Sequence, residues 1–278
     1  MLLEYLVDYC FQDYNQYGCF PCNHPSGCPH LQYCKDCLEE IHYPGRHPNG
    51  RRNYDCQRLR DFYVCDYSFK YASEYLHMLN ATHALDSLRR YYIISIGCGP
   101  CTDLIAFEKY NYEMGQDKKI RYLGVDLNEG WSKIHNQISH YCESEAEQDI
   151  KTGFFYDDTS RLPDDINLSK VNILSLQYVV SSIFQSGGAT AVQSFFTTLV
   201  QKIVLKRNPN KPFIIFINDV NSNNMGRDCF VFIHNVLRQY NIRSVGQAWY
   251  FNRNISNVAQ MYGSQHISVC GSGERKFL

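Results

Sequence analysis

The chain has 278 residues, 44% of them hydrophobic, and a net charge of −1. That length holds one α/β domain of ordinary size plus a small appendage, and so even a charge balance draws the whole molecule toward neither nucleic acid nor membrane. No apolar run approaches the ~20 residues needed to span a bilayer, and the first ten residues carry Glu4 and Asp8 but no basic group, unlike a secretory leader, so a cytoplasmic protein with reduced cysteines is the expectation.

Eight of the 13 cysteines fall in the first 65 residues: Cys10, Cys19, Cys22, Cys28, Cys34, Cys37, Cys56 and Cys65. His24, His30, His42 and His47 lie among them. Cys19/Cys22 and Cys34/Cys37 have the Cys-x-x-Cys spacing that lets a tight turn aim two thiolates at one tetrahedral ion. The expectation is a zinc-binding domain over residues 1–66, followed by a second domain over 67–278. One zinc site would use Cys19, Cys22, Cys34 and Cys37. Alternatively there are two sites, one of Cys34, Cys37, His42 and Cys56, the other of Cys19, Cys22, Cys28 and His30. Four such ligands leave no open position, so zinc here would be structural. Residues 11–56 hold few aliphatic side chains, and metal ligation would supply folding free energy that apolar burial cannot.

Residues 45–60 set Arg46, Arg51, Arg52, Arg58 and Arg60 against Asp55, with Asn and Tyr54 interleaved. Beside a zinc module, such a segment suits contact with phosphate or RNA. A solvated loop and helix face is the alternative. The 22 tyrosines read mainly as half-buried packing residues with a hydrogen-bonding tip, and base stacking is the sharper reading.

Residues 57–90 read as helical. Tyr63, Tyr67, Tyr71, Tyr75 and Leu79 recur every four positions, a stripe expected to pack on a sheet.

Next comes an apolar strand, 91–96, ending abruptly in Gly97-Cys98-Gly99. A helix near 102–110 follows, then a strand at 120–125 that ends in Asp126. Strand, glycine turn, helix, strand, acid is the layout with which an open α/β sheet binds a nucleoside: the glycines admit the ligand close to the backbone, and the acid accepts from ribose hydroxyls. A dinucleotide site would want a third glycine where Thr102 stands. The segment instead resembles motif I of the class I S-adenosylmethionine (SAM)-dependent methyltransferases. The resemblance covers about residues 70–270. It implies that Gly97, Gly99, Asp126 and Leu127 border the cofactor. It also implies that an acid in Gly153-Phe-Phe-Tyr-Asp-Asp158 lies near the adenine amino group, Asp158 before Asp157. Helices ahead of the first strand cover the pocket in that family, so Tyr71 or Glu74 would reach it. Cys98 and Cys101 read as small packing residues.

The remaining units alternate: a helix near 131–147, a short strand near 153–156, a strand at 171–176, a helix at about 189–206, a strand at 212–217 and a helix near 227–240. Two apolar strands near 244–251 and 258–269 close the chain, with a loose tail over 271–278. The fold class is therefore α/β, a doubly wound, mainly parallel seven-stranded sheet of class I methyltransferase type with a small N-terminal zinc-binding domain.

Acceptors in such a fold lie beyond the carboxyl ends of strands four and five. The stretch Ser175-Leu-Gln-Tyr-Val-Val-Ser-Ser182 carries neither the Asn/Asp-Pro-Pro-Tyr of amino-methylating nucleobase enzymes nor the Pro-Cys of cytosine-C5 enzymes. Gln177 is placed to hydrogen-bond an acceptor and Tyr178 to line its pocket. Asp219, between Asn218 and Asn221, is the candidate general base, or else a cap for the loop. His83, His234 and His266 are isolated. The function expected is SAM-dependent methyl transfer, the zinc module recruiting RNA or a nucleic-acid-associated acceptor. The alternatives are an inactive binding or regulatory module on the same fold, and a small-molecule or protein methyltransferase. A nicotinamide-dependent oxidoreductase is a third reading, disfavoured by Thr102.

Overall fold

A computed structural model describes residues 1–15, 34–42, 53–164, 166–246, 265–269 and 273–277. Cys19, Cys22, Cys28, His30, Arg46, Arg51 and Arg52 lie outside the described residues.

The first strand, β1 (Tyr91–Ile96), is built, Ser95 apart, of aromatic and β-branched residues and forms the centre of the sheet. It pairs in parallel with β2 (Ile120–Val125) on one edge and with β4 (Ile173–Gln177) on the other. β3 (Ile150–Phe155) and β5 (Ile214–Asn218) complete a five-stranded order β3-β2-β1-β4-β5. Strands buried on both faces need helices on both. α1 (Leu2–Asn15), α2 (Cys34–His42), α3 (Gln57–Ala81), α4 (Thr102–Glu113) and α5 (Ser132–Ser144) share one core with Tyr91 and Ile93. α6 (Val180–Lys202) and α7 (Phe232–Gln239) share the other with Ile94 and Ile96. Alternate residues of one strand thus feed opposite layers.

Several boundaries differ from the sequence reading. The sheet has five strands rather than seven among the described residues. The closing strands, β6 (Gln265–Val269) and β7 (Gly273–Phe277), pair antiparallel with each other and not with β5. Residues 273–277, read as loose tail, form a strand because a ladder partner lies a few residues upstream; context decides strand formation more than residue type does. α6 begins at Val180 rather than near residue 189 and carries a break at Gly188, whose φ is +66°. The helix expected to reach residue 90 stops at Ala81.

α1 is an addition. Leu2, Leu3, Leu6, Val7, Cys10 and Tyr14 form a buried stripe at helical spacing. The helix packs on α3, α4 and α5. The Leu2 amide donates to Glu108 at 2.9 Å, and Lys133 meets Asp13 at 2.7 Å. The boundary expected between residues 66 and 67 falls inside the continuous α3. Two arginines of the basic segment are structural. Arg58 is 3% exposed with its guanidinium 4.5 Å from the Tyr14 ring centre, and Arg60, 6% exposed, donates to the Tyr54 carbonyl and to Gln57. No helix among the described residues is long and apolar enough to cross a membrane.

The α1–α3 contact also buries Asp61, which accepts from Gln57 at 2.8 Å. Burial, and a hydrogen bond and repulsion from Asp13, push its carboxyl up to about 8. The folded protein therefore holds this proton far more tightly than the unfolded chain, where Asp titrates near pH 4. The stabilisation is complete below about pH 4 and is lost as pH rises through about 8. The midpoint of urea unfolding should fall across that interval in the wild type, and Asp61→Asn should flatten this part of the profile.

Candidate functional site

In a 3-2-1-4-5 sheet the chain leaves β1 toward one face and β4 toward the other, which opens a crevice at the carboxyl ends of the strands. The turn after β1 forms its floor. Gly97 (φ +62°) and Gly99 (φ +46°) are both left-handed, and a Cβ on Gly97 would lie 2.7 Å from Val179 Cγ2. A Cβ on Gly99 would meet nothing nearer than Trp131 at 3.9 Å, so this side of the turn is open.

Asp126 closes the turn from the end of β2. Its Oδ2 accepts the Gly99 amide at 2.9 Å and its Oδ1 the Asn128 amide at 2.9 Å. Each carboxylate oxygen retains acceptor capacity for a ligand hydroxyl. Burial raises the pKa of Asp126, and the Asn128 and Gly99 amides oppose the rise. Leu127 is 73% exposed at the lip. Asp157 and Asp158 border the same cleft beyond β3. Asp158 caps a 3₁₀ turn by accepting from the Ser160 amide at 2.7 Å, and its bonds to Ser160 hold its carboxyl below the ordinary range. Asp157 accepts from Arg161 at 3.3 Å.

The far end of the cleft is walled by α3. The tyrosine stripe divides along the helix. Tyr75 and Leu79 are fully buried, and Tyr75 donates to Ser175 at 2.8 Å. Tyr63, Tyr67 and Tyr71 stand in a row, neighbouring ring centres 5.0 and 5.2 Å apart, and line the opening with Tyr54, Trp131 and Tyr178. Tyr178 takes the left-handed φ of +57°, rare for an aromatic residue, and sets its ring 4.3 Å from that of Tyr71. Its hydroxyl donates to Glu74 at 2.6 Å, and the Asn218 amide reaches the same carboxylate oxygen at 3.3 Å. Burial raises the Glu74 pKa, opposed by the bond from Tyr178.

The other two candidates are more committed. Gln177 accepts from Thr102 at 2.6 Å and donates to the Tyr71 carbonyl at 2.9 Å, so both ends of its amide join protein groups. Asp219 accepts from the Ser181 amide at 3.0 Å and the Val220 amide at 2.7 Å. It caps the first turn of α6 from the loop after β5. Burial raises its pKa, against the bonds from Ser181 and Val220.

The cysteine candidates are only partly gathered. Cys34 and Cys37 are buried one turn apart on α2. His42 lies at the other end of that helix, with Nε2 3.3 Å from the Tyr54 hydroxyl. No three of Cys34, Cys37, His42 and Cys56 bring donor atoms within 4.8 Å of one another. The cluster of that kind found among the described residues is Cys98, Cys101 and His135. The sequence reading took the two cysteines as packing and passed over the histidine. Nothing in the local pattern marks His135, which reaches the turn only through the packing of α5 on the sheet.

No family model matches the chain. No curated protein matches it either. Among solved structures, the magnesium protoporphyrin IX methyltransferase of Synechocystis PCC 6803 with bound SAM is 12% identical over 87% of this chain and 94% of that one, with a TM-score of 0.40. A putative SAM-dependent methyltransferase of Methanococcus maripaludis is 14% identical over 79% and 89%, with a TM-score of 0.39. DesVI of Streptomyces venezuelae is 14% identical over 54% of each chain, with a TM-score of 0.32. A likeness this slight carries no weight on activity, which the geometry of the site has to supply.

If Asp219 serves as the cap of α6, Asp219→Ala should lower unfolding free energy in urea by about 0.5–2 kcal/mol.

Proposed function

We propose that the chain is a SAM-dependent methyltransferase. The observation that carries this reading is the Asp126 carboxylate at the end of β2, bonded to the Gly99 amide of the turn after β1 and bordering an open cleft. The residues suit an adenosine rather than a dinucleotide. The ribose acceptor is present, and Thr102 takes the place of the glycine that would bring helix and strand together beneath a pyrophosphate.

Bound SAM would supply an electrophilic methyl group on a sulfonium. The protein's part is alignment and, for a protonated acceptor, removal of a proton. In this proposal Asp126 holds the ribose, Leu127 lies over the adenine, and Asp157 or Asp158 accepts from its amino group. Gln177 and Asp219 position the acceptor end by fixing α3 against β4 and α6 against β5. Tyr178 and Tyr71 line the acceptor pocket, and Glu74 holds the departing proton. Burial raises the pKa of Glu74, the direction that makes a carboxylate a stronger base.

The N-terminal zinc module belongs to the same proposal. Cys34 and Cys37, three residues apart on one helix, present one face to a shared ion, with Cys19 and Cys22 as the complementary pair. RNA recruitment by residues 46–60 falls to Arg46, Arg51 and Arg52, since Arg58 and Arg60 are buried.

Calorimetry on metal-replete protein should show micromolar SAM binding that Asp126→Ala reduces at least tenfold. Wild-type protein that binds no SAM would remove the reading. In gel shifts with single-stranded RNA, Arg51→Glu/Arg52→Glu should weaken retention several-fold. Equal retention by mutant and wild type would remove RNA as the recruited partner and leave methyl transfer intact.

A further inference from the structure

Beneath the glycine turn lie three groups that the proposed reaction does not use. Cys98 and Cys101 flank Gly99-Pro100, and His135 rises from the first turn of α5. One donor atom from each lies within 4.8 Å of the other two, and all three residues are buried. Cys98 Sγ is 3.8 Å from His135 Nε2, and Cys101 Sγ is 3.8 Å from the Gly99 carbonyl oxygen. That oxygen is 2.7 Å from His135 Nε2. Tetrahedral zinc, with bonds of about 2.0–2.3 Å, holds its donors about 3.3–3.8 Å apart. The sulfur–nitrogen and sulfur–oxygen distances of 3.8 Å lie at the upper end of that range, and the Nε2 and carbonyl pair at 2.7 Å needs to open by about half an ångström.

The surroundings are built to match. A Cβ on Gly124 would lie 2.8 Å from Cys98 Sγ and 2.8 Å from Phe154, so a missing side chain on β2 makes the room that the sulfur fills. The His135 ring is stacked on Phe154 at 4.0 Å with an interplanar angle of 6°. Its Nδ1 is 2.9 Å from the Tyr156 hydroxyl, the kind of outer partner that fixes the tautomer and direction of a ligating imidazole. Cys101 adopts φ +58°, a costly conformation for a residue with a Cβ.

We propose that Cys98, Cys101 and His135 bind one Zn²⁺ ion under the cofactor turn, with the Gly99 carbonyl at the fourth position. Two thiolates and a neutral imidazole cancel the charge of the ion, so the filled site is neutral, as so buried a place requires. Binding releases the two thiol protons to solvent. The imidazole proton moves from Nε2 to Nδ1, where the Tyr156 oxygen accepts it, and Nε2 is freed for the metal. No group is oxidised or reduced. The ion ties residues 98–101 to α5, and so fixes the Gly99 amide that holds Asp126. This consequence for cofactor affinity rests on the methyltransferase reading, whereas metal binding does not.

The test is the zinc content per chain of the full-length protein, by elemental mass spectrometry, for wild type, Cys98→Ser/Cys101→Ser and His135→Gln. Any zinc held by the N-terminal cysteines is common to all three, so the double variant should carry one equivalent fewer than wild type, with His135→Gln losing zinc faster to a chelator. Equal content in wild type and double variant overturns the proposal. Should the double variant fail to fold, cadmium-113 NMR of the wild type decides. A resonance of a two-sulfur site is expected, and spectra with only three- or four-sulfur sites overturn the assignment. SAM calorimetry on the same zinc-loaded wild type keeps the two readings apart. The extra equivalent without SAM binding would uphold the metal site and remove the cofactor.

Discussion

Two backbone amides donate to the Asp126 carboxylate, one from the turn after β1 and one from the loop after β2. The amides of Gly97 and Cys98 still donate to the Val125 carbonyl of β2, but beyond them the left-handed glycines carry the chain away from the sheet. A charged acceptor from the adjacent strand holds it there, and hydrogen bonds to a charged group are stronger than those between neutral ones. The geometry of the crevice follows. With β1 flanked by β2 and β4, α4 and α6 leave for opposite faces, and the gap between their first turns is the cleft.

α3 shows how one sequence pattern serves two purposes. Its tyrosines recur every four residues, yet Tyr75 is sealed against Phe107 and Phe216 while Tyr63, Tyr67 and Tyr71 face the opening. An α-helix rises 1.5 Å per residue, so the stripe from Tyr63 to Tyr75 spans roughly 18 Å. The sheet covers only the lower part of that length, and the upper part projects past the strand ends. The same helix carries Glu74 to the carboxyl ends of β4 and β5, where Tyr178 and Asn218 receive it. A residue that precedes the first strand thus becomes part of the far wall of the site.

The polar groups at the strand ends divide by what already holds them. Gln177 and Asp219 lie where position alone would place acceptor-binding groups, but their hydrogen bonds join α3 to β4 and α6 to β5. Their value is in fixing the frame. Tyr178, held in a left-handed conformation, has its ring against Tyr71 and its hydroxyl on Glu74. Backbone strain of this kind persists where surrounding contacts over-determine it.

The sequence by itself determined the parallel core of the sheet, the glycine turn and Asp126, because local chemistry writes each of them. β-branched and aromatic runs make strands, left-handed turns take glycine, and an acid follows the second strand. It also marked the Cys-x-x-Cys pairs, whose spacing is local. Only the tertiary structure decided what lies between distant segments. It fused α1 to the sheet layer, buried Arg58 and Arg60, turned the C-terminal strands into a hairpin of their own, and brought His135 to Cys98 and Cys101. The physical reason is that burial and donor–donor distance depend on how helices pack across the sheet. Periodicity along the chain tells which face of an element is apolar, but not which residues of another element it will meet.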